Sequence, residues 1–240
     1  MFNFRKNDKP RKLTLRVLAA LLSYPDAQLR AALPALARAL DDEAALPAPR
    51  IAELHALMRE LERGNAYEIE ARYVDTFDRG RATSLHLFEH VHGDSRERGP
   101  AMIDLLQTYE AAGLKMDPTE LPDHLGVMLE FASTQPPAVS REFLAEVAQI
   151  VNAIFSALLS RQSPYASVVA AALELAGERP QAVPFAPDVP LDDSWAEPPA
   201  FDGCNSRGQA RPDAPQPIHI VRNNPAARSS ASQAAQGATR

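Results

Sequence analysis

His86, Glu89 and His90 stand in the order H-x-x-E-H inside "HLFEHVHGDSRERG", residues 86–99. On a helix, imidazoles at i and i+4 share a face and can hold one metal, with the glutamate as base, as in an inverted zinc-protease motif. Zinc catalysis also needs a third protein ligand and a position open to water. His92 is two residues from His90 and points off that face, and a distant glutamate cannot be picked out of one sequence. Gly93 ends the segment soon after His90, whereas the motif belongs on a long, well-supported helix. A zinc hydrolase using these three residues is therefore the minor alternative, and no metal or cofactor site is expected. In the other reading Leu85, Leu87, Phe88 and Val91 supply apolar contacts, and His86 and His90 are half-buried and hydrogen-bonded. Arg96 and Arg98 then pair with Glu89, Asp94 or Glu97. The charge density from Asp75 to Arg98 exceeds what a helix connection requires and marks a recognition surface.

The elements that must position these residues read as helix after helix. Apolar residues recur at helical spacing in Leu13–Tyr24, in a helix capped by Asp26, and in one that begins at Pro49 and closes at Gly64. Pro34 is expected to kink the second helix or end it early. A fourth helix carries Tyr67, Tyr73, Val74 and Phe77. Further helices are expected over Ser84–His92, Pro100–Ala112, Asp123–Ser133, Ser140–Arg161 and Tyr165–Ala176. No stretch shows sustained two-residue alternation. The expected fold is all-α: a single helical-bundle-like domain of about eight or nine helices, residues 1–177, with a disordered C-terminal tail.

Residues 178–240 form that expected tail. Nine of the 21 prolines fall between Pro180 and Pro217, with Gln, Ser, Ala and Asn filling much of the rest. Such a segment cannot bury enough apolar surface to offset its ordering entropy. Residues 203–240 hold five Arg and one Asp, a charge of +4, while the remainder holds 20 Lys+Arg and 30 Asp+Glu, a charge of −10. The basic tail serves solubility, or it visits an acidic groove and competes with a basic ligand. Cys204 reads as a free thiol there, and Trp195 and Phe201 as its large apolar residues.

At 240 residues and 45% hydrophobic, the chain can build a real core. A net charge of −6 argues against a general nucleic-acid binder. One cysteine excludes an internal disulfide and a Cys-cluster metal site. Basic residues Arg5 to Lys12 precede the apolar run Leu13–Leu22, which superficially resembles a signal peptide. Arg16 interrupts the run, no A-x-A site follows, and Val17, Leu18, Leu21 and Leu22 make one helical face. No apolar run approaches the ~20 residues that span a bilayer. Cytoplasmic is the expected location.

One long stretch is more specific than any of these patterns. "YVDTFDRGRATSLHLFEHVHGDSRERGPAMIDLLQTYEAAGL", Tyr73–Leu114, closely resembles the delta subunit of respiratory nitrate reductase, the family of nitrate reductase molybdenum cofactor assembly chaperones. "ELPDHLGVMLEFAS", Glu120–Ser133, is similar to the family's next block, and its Glu-Leu-Pro-Asp-His core resembles a signature of the wider redox-enzyme maturation chaperones. "LRVLAALLSYPD" resembles the usual opening, and "QPIHIVR", Gln216–Arg222, an ending seen in some members. The H-x-x-E-H string falls inside the first block, and the family is not known for proteolysis.

The resemblance implies a single all-helical chaperone that is not an enzyme. It implies binding in the cytoplasm to the apo catalytic (alpha) subunit of nitrate reductase, including its N-terminal peptide. That subunit would be kept competent for molybdenum cofactor insertion before membrane docking. Molybdenum cofactor delivery proteins are a further candidate partner; nucleic acid is not, and the chain is not a stable membrane component. A different molybdoenzyme as client is the alternative. An acidic helical body suits a basic amphipathic peptide laid in a groove.

Within the two blocks the candidate client-binding residues are Tyr73, Asp75, Phe77, Arg81, His86, Glu89 and His90, then Glu120, Asp123 and His124. Pro122 disfavours helix at Leu121, so the second set sits at a bend before a helix. Asp123 either caps that helix or contacts ligand, capping being the preferred reading. His124 is either a proton-sensitive contact or a helix-start histidine exposed to water. Met128, Leu129 and Phe131 are expected in the core.

Overall fold

Leu15, Leu18, Leu21 and Leu22 are fully buried, which places the first helix at the centre of the protein. The structure is a computed structural model that describes residues 11–93 and 95–184. These fall within one compact unit. Among the described residues ten helices follow one another: α1 Lys12–Leu21, α2 Ala27–Glu43, α3 Ala48–Arg63, α4 Ala66–Phe77, α5 Leu87–His92, α6 Arg98–Ala111, α7 Leu125–Thr134, α8 Pro137–Glu146, α9 Ala148–Ser160 and α10 Ala166–Ala176. A 3₁₀ turn, Arg81–Thr83, lies between α4 and α5. The expected all-α fold is what the described residues show.

Helix ends follow local chemistry where a capping residue is present. Asp26 accepts from the Leu29 N–H at 2.7 Å, and Asn65 accepts from the Tyr67 N–H at 2.9 Å. Each satisfies a first-turn donor that has no partner within its own helix. α1 has no such residue; Glu43, at the far end of α2, reaches across to the Leu13 and Thr14 N–H groups at 3.0 and 2.6 Å. The Tyr73 hydroxyl donates to the Leu22 carbonyl at 2.6 Å and so satisfies an orphan acceptor at the other end of α1.

α1 packs on α7, α2 and α10, and α10 in turn packs on α8 and α9. α10 is buried on nearly all sides from Val168 to Leu173, as a helix apolar all round must be. Its alanines at 170–172 leave room for neighbours to approach closely. Met128, Leu129 and Phe131 of α7 are in the core, as expected.

Three expectations about elements are corrected. α2 does not end at Pro34 but runs through it to Glu43, with Leu29, Leu33 and Leu40 holding the buried face on both sides. The single long helix expected over Ser140–Arg161 is two, α8 and α9, bent by 65° at Val147. The bend lets both halves pack against α10, which one straight rod would not allow. Ser84–His92 is not one helix: α5 begins at Leu87, and His86 is extended with φ −85° and ψ 99°.

After α10, Gly177 takes a left-handed φ of +89°, and residues 178–184 are not helical. The Gln181 and Val183 N–H groups bond to Asn152 and Ser156 of α9 at 3.1 and 2.8 Å. The rest of the basic tail, with Trp195, Phe201, Cys204 and "QPIHIVR", lies outside the described residues, as do Arg5, Lys6 and Lys9. Among the described residues no single helix is long and apolar enough to cross a membrane.

Candidate functional site

The two sequence blocks meet through the backbone. The Leu87 N–H donates to the Asp123 carbonyl at 3.0 Å, and the Leu125 N–H donates to the Leu85 carbonyl at 2.8 Å. This makes an isolated antiparallel bridge between His86 and His124. Both donors open a helix and would otherwise have no partner in that helix. The bridge holds His86 out of α5, so His86 and His90 do not share a helical face.

Asp123 is completely buried, and its carboxylate serves α5 rather than α7. It accepts from the Phe88 N–H at 3.1 Å and from His86 Nδ1 at 3.3 Å, with Arg98 Nη2 at 3.9 Å. The expectation that Asp123 caps the helix following it is thereby corrected: it caps a helix 35 residues earlier in the chain. A buried carboxylate needs such partners, since unpaired burial of its charge is costly. The hydrogen bond to Asp123 raises the His86 pKa. Burial opposes that rise, the Asp123 and Glu89 charges add to it, and Arg98 subtracts.

The residue that does cap α7 is His124. Its Nδ1 accepts from the Gly126 N–H at 3.2 Å, so the ring is neutral with its proton on Nε2. Burial, and then the nearby His86, push its pKa down to about 4, with Asp123 pulling the other way. The two imidazoles stand edge to face, 5.2 Å apart. A Cβ on Gly126 would lie 3.0 Å from that Nδ1, so glycine gives the cap its room. The water-exposed alternative for His124 does not describe this mostly buried ring.

Glu89 and His90 are also engaged. Glu89 accepts from the Ser84 hydroxyl at 2.6 Å and pairs with Arg98 at 3.3 Å, and His90 Nε2–H donates to the Ser84 carbonyl at 2.9 Å. The Arg98–Glu89 pair is one that the sequence proposes. Among the described residues no three His, Cys, Asp or Glu side chains are grouped to hold a metal ion.

The remaining candidates divide by exposure. Tyr73 and Phe77 are buried, their rings 4.9 Å apart in an aromatic cluster completed by Tyr165 and flanked by Tyr24. Asp75 and Glu120 are exposed, and Asp75 pairs with Arg79 across one helical turn. Arg81 is exposed and lies against Gly93, where a Cβ would meet its guanidinium at 3.0 Å. A recess of about 440 Å³ brings together Phe77, Arg81, His86 and Glu89, with Ser84 and Asp78 beside them. A second, larger recess of about 530 Å³ includes Glu120; its walls also hold Arg16, Leu114, Met116, Val127 and Glu130, none of them among the candidate client-binding residues. Asp123 is buried and lines neither. The half-exposed apolar positions Met116 and Val127, beside the exposed Glu120 and Glu130, are the signal that could have marked this second recess.

Fold and site together describe an all-helical protein whose buried polar groups hold its own helices in place and whose grooves are open. The chain belongs to the nitrate reductase delta subunit family, whose model matches residues 24–171. It is 40% identical over 164 residues to the nitrate reductase molybdenum cofactor assembly chaperone NarJ of Escherichia coli K12, covering 68% of this chain and 70% of that one. It is 36% identical over 179 residues to a Bacillus subtilis relative described as "Probable nitrate reductase molybdenum cofactor assembly chaperone NarJ", covering 72% and 95%. It is also 38% identical over 155 residues to the nitrate reductase-like protein NarX of Mycobacterium tuberculosis H37Rv, covering 64% of this chain and 22% of that longer one.

Proposed function

We propose that this protein is an assembly chaperone for a respiratory nitrate reductase and not an enzyme. It acts in the cytoplasm. It binds the apo alpha subunit, including that subunit's N-terminal segment, and keeps it competent for molybdenum cofactor insertion until it docks at the membrane. The observation that carries this reading is the 40% identity, over 70% of its length, to an E. coli protein named as a nitrate reductase molybdenum cofactor assembly chaperone. The acidic helical body supports it, since complementary charge speeds encounter with a basic segment and apolar contacts set its lifetime. Holding only the immature client requires preference for one of its states, because equal affinity for both shifts nothing.

The test is calorimetric titration of the full chain with the N-terminal peptide of the nitrate reductase alpha subunit, at low and high salt. Binding near micromolar or tighter, weakened by salt, is expected. Absence of binding at both salts, together with failure to capture the full-length apo subunit, would overturn the reading. Tighter binding to the matching peptide of another molybdoenzyme would reassign the client.

A further inference from the structure

A dense run of cations leads into α1. Residues 5–12 read "RKNDKPRK" and set Arg5, Lys6, Lys9, Arg11 and Lys12 against one acid, Asp8, a charge of +4 within eight residues. Phe2 and Phe4 stand directly before the run. Residues 13–202 hold 15 Lys+Arg and 29 Asp+Glu, a charge of −14. An anionic surface repels such a body, so attraction to one has to come from a segment of opposite charge. The C-terminal tail carries +4 as well, but its five arginines are spread over residues 203–240.

The fold leaves the end of this run facing outward. Arg11 Nη1 donates to the Leu175 carbonyl at 2.8 Å, which pins the start of α1 to the end of α10. Lys12 is exposed, and Leu13 beside it is 44% exposed, whereas Thr14, Leu15, Val17 and Leu18 turn into the core. The last turn of α2 brings three acids, Asp41, Asp42 and Glu43, to the same end of the protein. Two of them are engaged: Glu43 accepts from the Leu13 and Thr14 amides, and Asp41 meets His55 Nε2 at 2.8 Å. Glu43 thus fills the first turn of α1, so that helix end is not itself an anion site. The cations of the run are what an anion would meet here.

We infer that residues 1–13 bind the surface of an anionic bilayer. The cations meet lipid phosphates, and Phe2, Phe4 and Leu13 enter the boundary between headgroups and acyl chains. One apolar signal or one basic patch alone attaches a protein weakly, and the two together hold it reversibly. Duplex nucleic acid offers the same phosphates but no apolar layer for the phenylalanines. The attachment is peripheral. It adds a place to the function proposed above, since the chaperone waits at the surface where its client is to dock, and its test needs no client.

The test is cosedimentation of the full chain with vesicles of equal parts phosphatidylglycerol and phosphatidylcholine, and with phosphatidylcholine alone, at low and high salt. Wild type is expected on the anionic vesicles at low salt, to leave them at high salt, and to stay off phosphatidylcholine. Arg5→Gln/Lys6→Gln/Lys9→Gln should bind about a hundredfold more weakly, roughly a factor of five for each cation. Phe2→Ala/Phe4→Ala should bind about tenfold more weakly and keep its salt dependence. Arg207→Gln/Arg211→Gln/Arg222→Gln, in the tail, should bind as wild type. Circular dichroism checks that each variant folds. Wild type that ignores anionic vesicles overturns the inference, as does full binding by either variant of residues 1–13. Equal weakening by the tail variant overturns it too, since positive charge anywhere would then suffice. So does binding to duplex DNA as tight as to the anionic vesicles. Each of these results leaves the client reading standing.

Discussion

The carboxylate of Asp123 accepts a hydrogen bond from the Phe88 N–H at 3.1 Å, so the turn before α7 caps the start of α5. Capping residues ordinarily serve the helix that follows them. Here the same side chain also receives His86 and faces Arg98. Asp123→Ala leaves a buried N–H and two cationic or polar side chains without that partner. It is expected to cost about 2–4 kcal/mol in urea denaturation. Asp123→Asn keeps an acceptor for Phe88 and should cost less. In both variants the His86 ring, followed by NMR, should titrate at lower pH than in wild type, since its largest raising influence is gone. An unchanged His86 titration would contradict the assignment.

His124 links the fold to acid. Its folded pKa, near 4, lies below the ordinary value of 6.5, so between those pH values the unfolded chain binds the extra proton. Stability from this ring is complete above 6.5 and is lost as pH falls toward 4, by roughly 1.4 kcal/mol per pH unit in that window. His86 has the opposite sign: its contribution is complete below its unfolded pKa and is lost as pH rises through the higher folded one. His124→Asn keeps a capping side chain and removes the titration. Its stability should fall less than that of wild type between pH 6.5 and 4.5, measured by chemical denaturation at each pH. Parallel curves for the two proteins would assign the acid sensitivity elsewhere.

Two tyrosines of one aromatic cluster should answer differently to loss of a hydroxyl. Tyr73 donates to the Leu22 carbonyl, while the Tyr165 hydroxyl is buried with no hydrogen-bond partner among the described residues. Tyr73→Phe is expected to destabilise by about 1–2 kcal/mol, and Tyr165→Phe to be neutral or slightly stabilising. Thermal or urea unfolding of the two variants side by side decides this.

Gly93 ends α5 at a φ of +51°, and a side chain there would press on the Arg81 guanidinium. Gly93→Ala should cost about 1–2 kcal/mol, chiefly in backbone strain, since the arginine can swing aside. Adding Arg81→Ala to it should recover little. Substantial recovery would show that the contact, and not the backbone, carries the cost.

These residues also show what local sequence can and cannot convey. The helices α3 and α4 follow directly from apolar spacing, Leu54, Leu57 and Leu61 in one and Ile69, Tyr73 and Phe77 in the other, because each buries one face against a neighbour. That same spacing would also have marked Tyr73 and Phe77 as core positions, although their side-chain chemistry suggests client contacts. The start of α5 at Leu87 is not legible, since it is set by a backbone partner far along the chain. Asp123 precedes a helix and has the right side chain to cap it, but His124 takes that place and releases Asp123 to α5. The break at Val147 has no proline or glycine to announce it; it follows from packing on α10. The larger recess joins residues of α1, the end of α6, the segment 113–121 and α7. No periodicity within one segment could assemble them.

The isolated bridge has a consequence for the timing of local opening. Leu87 and Leu125 open their helices, where amides ordinarily exchange with solvent at once, yet each is bonded across the bridge. Neither bond can break without detaching the start of α5 from the turn before α7. Deuterium should therefore enter both amides at one common rate, and that rate is a clock for the release of α5 from a body held together by α1 and α7.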